Sequence, residues 1–317
     1  MSTQKAEFRT TIGGQALIEG ILMRGPEKQS IVVRGPEGLV VKTEELRLIR
    51  DRYPVLGLPL IRGSVTFLDS MVKGVKALMY SADFFPEEQD SEPSRFENWL
   101  NEKLGDERLE KVVIAASVIL SVGLSVGLFM LLPTFLSGLV ERFTRSVLLR
   151  NLADAVLRIA IFMTYMILVS RMQDIRRVFR YHGAEHMTIF CYEKGLPLTV
   201  ENVRKQPMHH PRCGTSFLLV VIIVSILINT VIFALFPVSN LFLRVVVQLL
   251  LLPFVVGITY EFNRYVGGHD NPVTSFLARP GMWMQNFTTF TPDDDMLEVA
   301  IRALEEVIPA QQGKDQW

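Results

Sequence analysis

The 317-residue chain is short of cysteine, with two, and has no net charge, with 33 Lys and Arg against 33 Asp and Glu. Two cysteines cannot build a disulfide-rich secreted scaffold. A zero balance argues against a protein that coats nucleic acid, and a 49% hydrophobic content excludes disorder. The more telling absence is local. Residues 112–140, 159–170, 215–243 and 245–260 contain no Asp, Glu, Lys or Arg. The remaining residues therefore carry every charge, and the mean hydropathy of +0.27 averages an apolar part with a water-soluble one.

A hydrocarbon core of about 30 Å takes about 20 apolar residues in a helix. Residues 112–132, 216–236 and 241–260 meet that requirement, and 153–170 forms a fourth span with Asp154 and Arg158 near its start. The expected fold is an α-helical membrane bundle of about four transmembrane helices, with a small cytoplasmic N-terminal α+β unit. Between the second and third spans, residues 171–214 hold eight Lys and Arg against four acids. That excess places the segment, and both termini, on the cytoplasmic face of the cell membrane. The polar start predicts no cleavable signal, so insertion would use the internal spans. Gly123 and Gly127 form a GxxxG, with Ser117, Ser121 and Ser125 repeating every four residues, and predict close helix approach. Asn229 and Gln248 are expected to hydrogen-bond between helices. A proton or ion pump is disfavoured because no acid or base stands mid-span.

The soluble parts divide by periodicity. Residues 1–85 read as a β-rich unit plus an amphipathic helix. Two β-branched runs flank Gly35-Pro-Glu-Gly38, a hairpin signal. Val65, Leu68, Met71, Val72, Val75, Leu78 and Met79 then share one helical face, which packs on protein or lies on a membrane. Residues 86–96 read as an acidic linker, followed by a first hairpin of spans at 97–170, a His/Cys loop at 171–214, a second hairpin at 215–260 and a tail at 261–317. In that tail, Thr291 and Pro292 predict an N-cap and first helical position, and Leu297, Ile301, Leu304 and Ile308 form one docked stripe.

Four of the five histidines lie between positions 182 and 210. If the second span runs on as a helix, His182 and His186 stand one turn apart on the stripe of Met172, Ile175, Phe179 and Ile189, and both imidazoles can reach one ion. With Glu185 between them, the order matches the H-x-x-E-H of the inverted zinc peptidases, where the Glu is the general base. Pro211 biases His210 into a loop, and Cys213 precedes a helix N-terminus that favours a thiolate. Candidate ligands are His182, His186, His210, Cys213 and Glu261, the last at the cytoplasmic end of the final span. Glu185 is the candidate base. The implied cofactor is a divalent metal, zinc by ligand type. His269 reads as a loop histidine and Cys191 as a small buried residue.

With these residues in place the chain resembles the YqhQ family, bacterial multi-pass membrane proteins of unknown function described as predicted metal-dependent enzymes. The resemblance rests on Gly13-Gly-Gln-Ala16, Glu19-Gly20 and Met23-Arg24, on Tyr181-His-Gly-Ala-Glu-His186 and Cys191-Tyr-Glu193, and on Leu198-Thr-Val-Glu-Asn202 and His210-Pro-Arg-Cys-Gly-Thr-Ser-Phe217. Tyr260-Glu261, Pro280-Gly281, Gln285 and Thr288-Thr289 extend it. The glycine-rich start reads as a structural turn, since no P-loop Lys-Ser/Thr follows, and Glu19 and Arg24 could pair or line a site. Three functional readings stay open, two of them principal. One is a metal-dependent hydrolase acting on a lipid or peptide, the other a non-enzymatic scaffold with a structural metal site. A thiol enzyme using Cys213 and His210 is a third. Expected partners are the lipid bilayer, a membrane protein of the biogenesis machinery, and a second copy in a homo-oligomer; no nucleic acid is expected.

Overall fold

The computed structural model describes residues 8–46, 49, 53–85, 106–140, 143, 146–236, 238, 240–269, 271–311 and 313–316. The acidic stretch at 86–96 lies outside the described residues. Four strands, β1 (Gly13–Leu17), β2 (Gly20–Arg24), β3 (Lys28–Gly35) and β4 (Gly38–Glu45), form one antiparallel sheet in the order β1-β2-β3-β4. The helices are α1 (Ile61–Ala82), α2 (Asp106–Val126), α3 (Leu132–Leu139), α4 (Val147–Val169), α5 (Gln173–Glu193), α6 (Val200–Val203), α7 (Gly214–Leu235), α8 (Leu241–Gly268), α9 (Pro272–Thr288) and α10 (Asp294–Glu305). Among the described residues four stretches are long and apolar enough to cross a membrane: Ala115–Leu139, Leu149–Val169, Gly214–Leu235 and Leu241–Gly268.

The chain divides into two compact units, one of Met1–Phe85, Tyr165–Ile228 and Leu251–Trp317, the other of Pro86–Thr164 and Asn229–Leu250. In the first, alternation along the strands supplies two buried faces. Ile21, Met23 and Val32 join Tyr181, Ala184 and Met187 of α5 and Leu297, Ala300, Ile301 and Leu304 of α10 in the larger core. Leu17, Leu22, Ile31 and Val33 face the other way, onto Ala77 of α1 with Tyr80, Phe84 and Phe85. The Gly35–Gly38 hairpin closes where expected, with Gly35 opposite Gly38. The glycine-rich start is itself a hairpin, β1 against β2, and its turn rests on Glu19 at φ 50.

Several sequence expectations shift. Of the two courses expected for the apolar stripe of α1, packing on protein is not the one taken: Leu68 is 60% exposed and Val72 55%, while Gly63, Gly74, Ala77 and Ser81 are buried. Small residues let that opposite side lie close to its neighbours, as at Gly63, where an added Cβ would stand 2.6 Å from Tyr260. The chain breaks between α4 and α5, where Met172 is extended at ψ 133, so α5 is a separate helix and not a continuation of the second span. Asp293, not Thr291, is the N-cap of α10, and the Thr291 carbonyl accepts from Arg180 Nε at 2.9 Å. Arg24 bonds Ser70 at 3.0 Å, while Glu19 pairs with Arg177 and accepts from the Tyr181 hydroxyl at 3.1 Å. No described side chain comes within 4 Å of the Cβ positions of Gly123 or Gly127.

Candidate metal centre

The site begins with the middle of α5, where every residue from Tyr181 to Ile189 is buried. A helix buried all round must find a partner for each polar side chain it carries. His182 and His186, one turn apart, have ring centroids 4.3 Å from each other. Each spends Nδ1 on a backbone carbonyl: His182 on Thr288 at 2.8 Å, His186 on Met208 at 2.5 Å. A carbonyl only accepts, so both Nδ1 atoms carry hydrogen, which fixes the rings and turns their Nε2 atoms inward. Cys213, just before α7, completes the group, its Sγ 3.2 Å from His182 Nε2. The ligand atoms of His182, His186 and Cys213 all lie within 4.8 Å of one another, and this buried grouping could hold a metal ion.

Glu185 stands at the edge of the group, its Oε2 4.0 Å from His182 Nε2. Its Oε1 accepts from the Gly14 backbone N–H at 2.9 Å. The position requires glycine, because a Cβ at Gly14 would meet the Leu22 carbonyl at 2.8 Å and the Glu185 carboxyl carbon at 3.0 Å. Gly183 plays a similar part, since a Cβ there would collide with the Phe290 carbonyl and push away the segment after α9 that follows Thr288.

The charges within the group are coupled. Burial pushes the Glu185 carboxyl above the usual carboxylate range, against the pull of His186 and His182. Burial alone would raise the Cys213 thiol, but the charges of His182 and His186 and their hydrogen bonds hold it well below its ordinary value. Burial alone would lower His182, but the Cys213 thiolate, then Glu185 and the Thr288 carbonyl, raise it to about 9. Without an ion the pair is a thiolate beside an imidazolium. The same donor set suits a soft-to-borderline divalent cation, which replaces the imidazolium proton.

The other two candidate ligands lie elsewhere. His210 is buried, but its ring packs on Phe190 at 4.5 Å and its Nε2 faces Glu193 Oε2 at 3.7 Å, with the His186 ring 5.6 Å away. Gln285 grips its backbone, accepting from His210 N–H and donating to its carbonyl, each at 2.8 Å. Burial, then Arg212 and His186, push His210 down to about 4 against the pull of Glu193, so it is neutral. Glu193 is held below the usual range despite burial, by His210, Arg212 and the Thr10 N–H. Glu261 receives a two-pronged contact from Arg62, with Nε at 2.7 Å, and ties the start of α1 to α8. Cys191 is buried as expected, its sulfur 3.6 Å from the Pro197 carbonyl. His269 follows α8 and stacks on Tyr265 at 4.3 Å.

Sequence reasoning did not single out Gly14, Thr288 or Met208 as supports of the site, nor Glu193 and Arg212 as the pair that takes His210. Gly14, Thr288 and Glu193 do fall within motifs that carried the family resemblance. Residues 58–310 match the model of a family described as a protein of unknown function (DUF1385). The chain is 33% identical over 306 residues to the "Uncharacterized protein YqhQ" of Bacillus subtilis (strain 168), covering 93% of this chain and 92% of the relative. No solved structure matches.

Proposed function

Because the chain belongs to the DUF1385 family, whose description assigns no activity, we propose a function from the site: a membrane-embedded, metal-dependent hydrolase acting on a lipid or peptide substrate. The observation that carries this reading is the double Nδ1–carbonyl arrangement. It leaves two imidazole Nε2 atoms and one thiolate converging, with an uncommitted carboxylate oxygen of Glu185 beside them. His182, His186 and Cys213 would hold a divalent ion, which would supply Lewis acidity. Glu185 would take the proton of the attacking water and return it to the leaving group, and burial, which raises its pKa, favours its acting as the acid in that second step. The Gly14 N–H holds the other carboxylate oxygen and fixes the direction of transfer.

Membrane placement rests on the four apolar helices and on the exposed apolar face of α1, which would lie in the lipid interface. The basic balance of residues 171–214 supports a cytoplasmic placement of the site and of both termini at the cell membrane.

The test is elemental analysis of the purified protein together with hydrolysis of membrane lipids and short peptides in mixed micelles. Wild type should carry an equimolar divalent ion. Glu185→Gln should keep the ion and lose about 10²–10⁴-fold in turnover. An ion-free wild type, or full activity in Glu185→Gln, would overturn the proposal. One observation favours the scaffold reading: the group is enclosed, with His182 and Cys213 8% exposed and His186 2%. A closed set that staples α5, the 208–213 segment and the end of α9 suits a structural ion, on a protein that docks a membrane partner. Under that reading Glu185→Gln changes nothing, while loss of the ion unfolds the unit.

A further inference from the structure

The unit made of Pro86–Thr164 and Asn229–Leu250 contains charged side chains buried among its apolar helices. One set is satisfied. Arg158 donates from Nε to Asp154 Oδ2 at 2.7 Å and from a terminal nitrogen to Thr134 Oγ at 3.0 Å, and Ser137 donates to Asp154 Oδ1 at 3.2 Å. The other set is not. Arg244 and Gln248 lie four residues apart on one face of α8, and each is 4% exposed. Among the described residues the Arg244 side chain has no hydrogen-bond or ion-pair partner: its Nε is buried and unpaired, and its guanidinium rests on the Phe233 ring at 4.4 Å. Both Oε1 and Nε2 of Gln248 are buried without a partner, so the expected interhelical bond is not made. Nearby charge adds to the imbalance, since Arg244 feels the repulsion of Arg150 and Arg158 as well as the attraction of Asp154.

A guanidinium enclosed by apolar helices without an anion is strongly disfavoured, and its usual resolution is a bound counter-charge. We propose that Arg244 and Gln248 form a binding site for a phosphate group. The guanidinium fork matches phosphate oxygens bidentately, and the Gln248 amide adds a further donor. Arg244 is three residues past Leu241, the first residue of α8, or about 5 Å along the axis. Asn240 already takes the Leu243 N–H on its side-chain oxygen at 2.9 Å, so the charge at this helix start that is left for an anion is the Arg244 guanidinium. That depth, at the end of a stretch long enough to cross a membrane, is where a lipid headgroup phosphate would stand; free phosphate offers the same chemistry.

The experiment uses the full chain, delipidated in dodecyl maltoside and free of phosphate buffer, with the thermal midpoint as readout. Dioleoyl phosphatidylglycerol, dioleoylglycerol and inorganic phosphate are titrated separately. A saturable rise with phosphatidylglycerol and none with dioleoylglycerol supports the site with a lipid source. A rise with inorganic phosphate alone supports it with a free source. In either case Arg244→Leu should weaken the response by roughly tenfold or more while raising the ligand-free midpoint, because a buried unpaired charge is gone. Gln248→Leu and Arg244→Lys, which keep a buried donor, should each weaken it less and serve if Arg244→Leu does not fold. The proposal fails if neither phosphate probe shifts the wild-type midpoint, if the variants respond as wild type, or if a stoichiometric protein partner co-purifies through Arg244 in place of lipid.

Discussion

Two polar clusters grow from the same stretch of chain and use similar side chains. His182, His186, Glu185 and Cys213 form one; Glu193, His210 and Arg212 form the other. In the second, the groups are consumed by each other. Glu193 takes Arg212, the Thr10 N–H and the edge of His210, and Gln285 takes the His210 backbone. In the first, backbone carbonyls take one nitrogen from each imidazole and leave the other nitrogens and a thiolate facing inward. The difference is in what remains uncommitted. A histidine cluster whose valences are filled is a clamp, and one whose Nε2 atoms converge unspent is a site.

The largest expected effect falls on the clamp. Arg212→Ala leaves Glu193 buried without its cationic partner, and should cost about 3–5 kcal/mol of stability by thermal denaturation in detergent. Whatever protein stays folded should bind metal as wild type does. If Arg212→Ala instead removes the ion and leaves the fold intact, the two clusters are one site and the comparison collapses. Next is Gly14→Ala, which displaces Glu185 without touching a candidate ligand. Turnover should fall about 100-fold with the ion content unchanged, since a misplacement of about 1 Å costs that much.

A smaller effect separates the clusters by pH. The neutral, buried His210 titrates at about 4 in place of 6.5, so the unfolded chain takes up its proton first on acidification. The stability it contributes is complete above pH 6.5 and is lost as pH falls toward 4. The thermal midpoint of wild type should drop across that window, and His210→Phe, which keeps a ring against Phe190, should flatten the drop. The smallest effect belongs to the surface pair of Arg180 and Asp293, the acid 55% exposed. Arg180→Ala should change stability by only about 0.5 kcal/mol, because water screens the pair.

The sequence was most legible where a pattern is local. The hairpin at Gly35–Gly38, the stripe of Leu297, Ile301 and Leu304, the four apolar helices and the pairing of His182 with His186 all follow from short spacings. It was least legible where a partner is distant or is backbone. Every residue has a carbonyl, so nothing marks Met208 and Thr288 as the acceptors that orient the two imidazoles. Glu261 could be placed at the end of α8, but whether it would meet an ion or an arginine depended on Arg62, far away in the chain. Periodicity showed that α1 has an apolar face. It could not show that small residues on the opposite face do the packing and leave Leu68 and Val72 outside.

The central claim is that His182, His186 and Cys213 together hold a divalent ion. Its most direct test is the metal content of the detergent-purified chain, measured for wild type and for Cys213→Ser beside the control His210→Phe. The account predicts an equimolar ion in wild type and in His210→Phe, and its loss in Cys213→Ser. A wild type without bound metal, or a Cys213→Ser protein that keeps the ion while His210→Phe loses it, would contradict it.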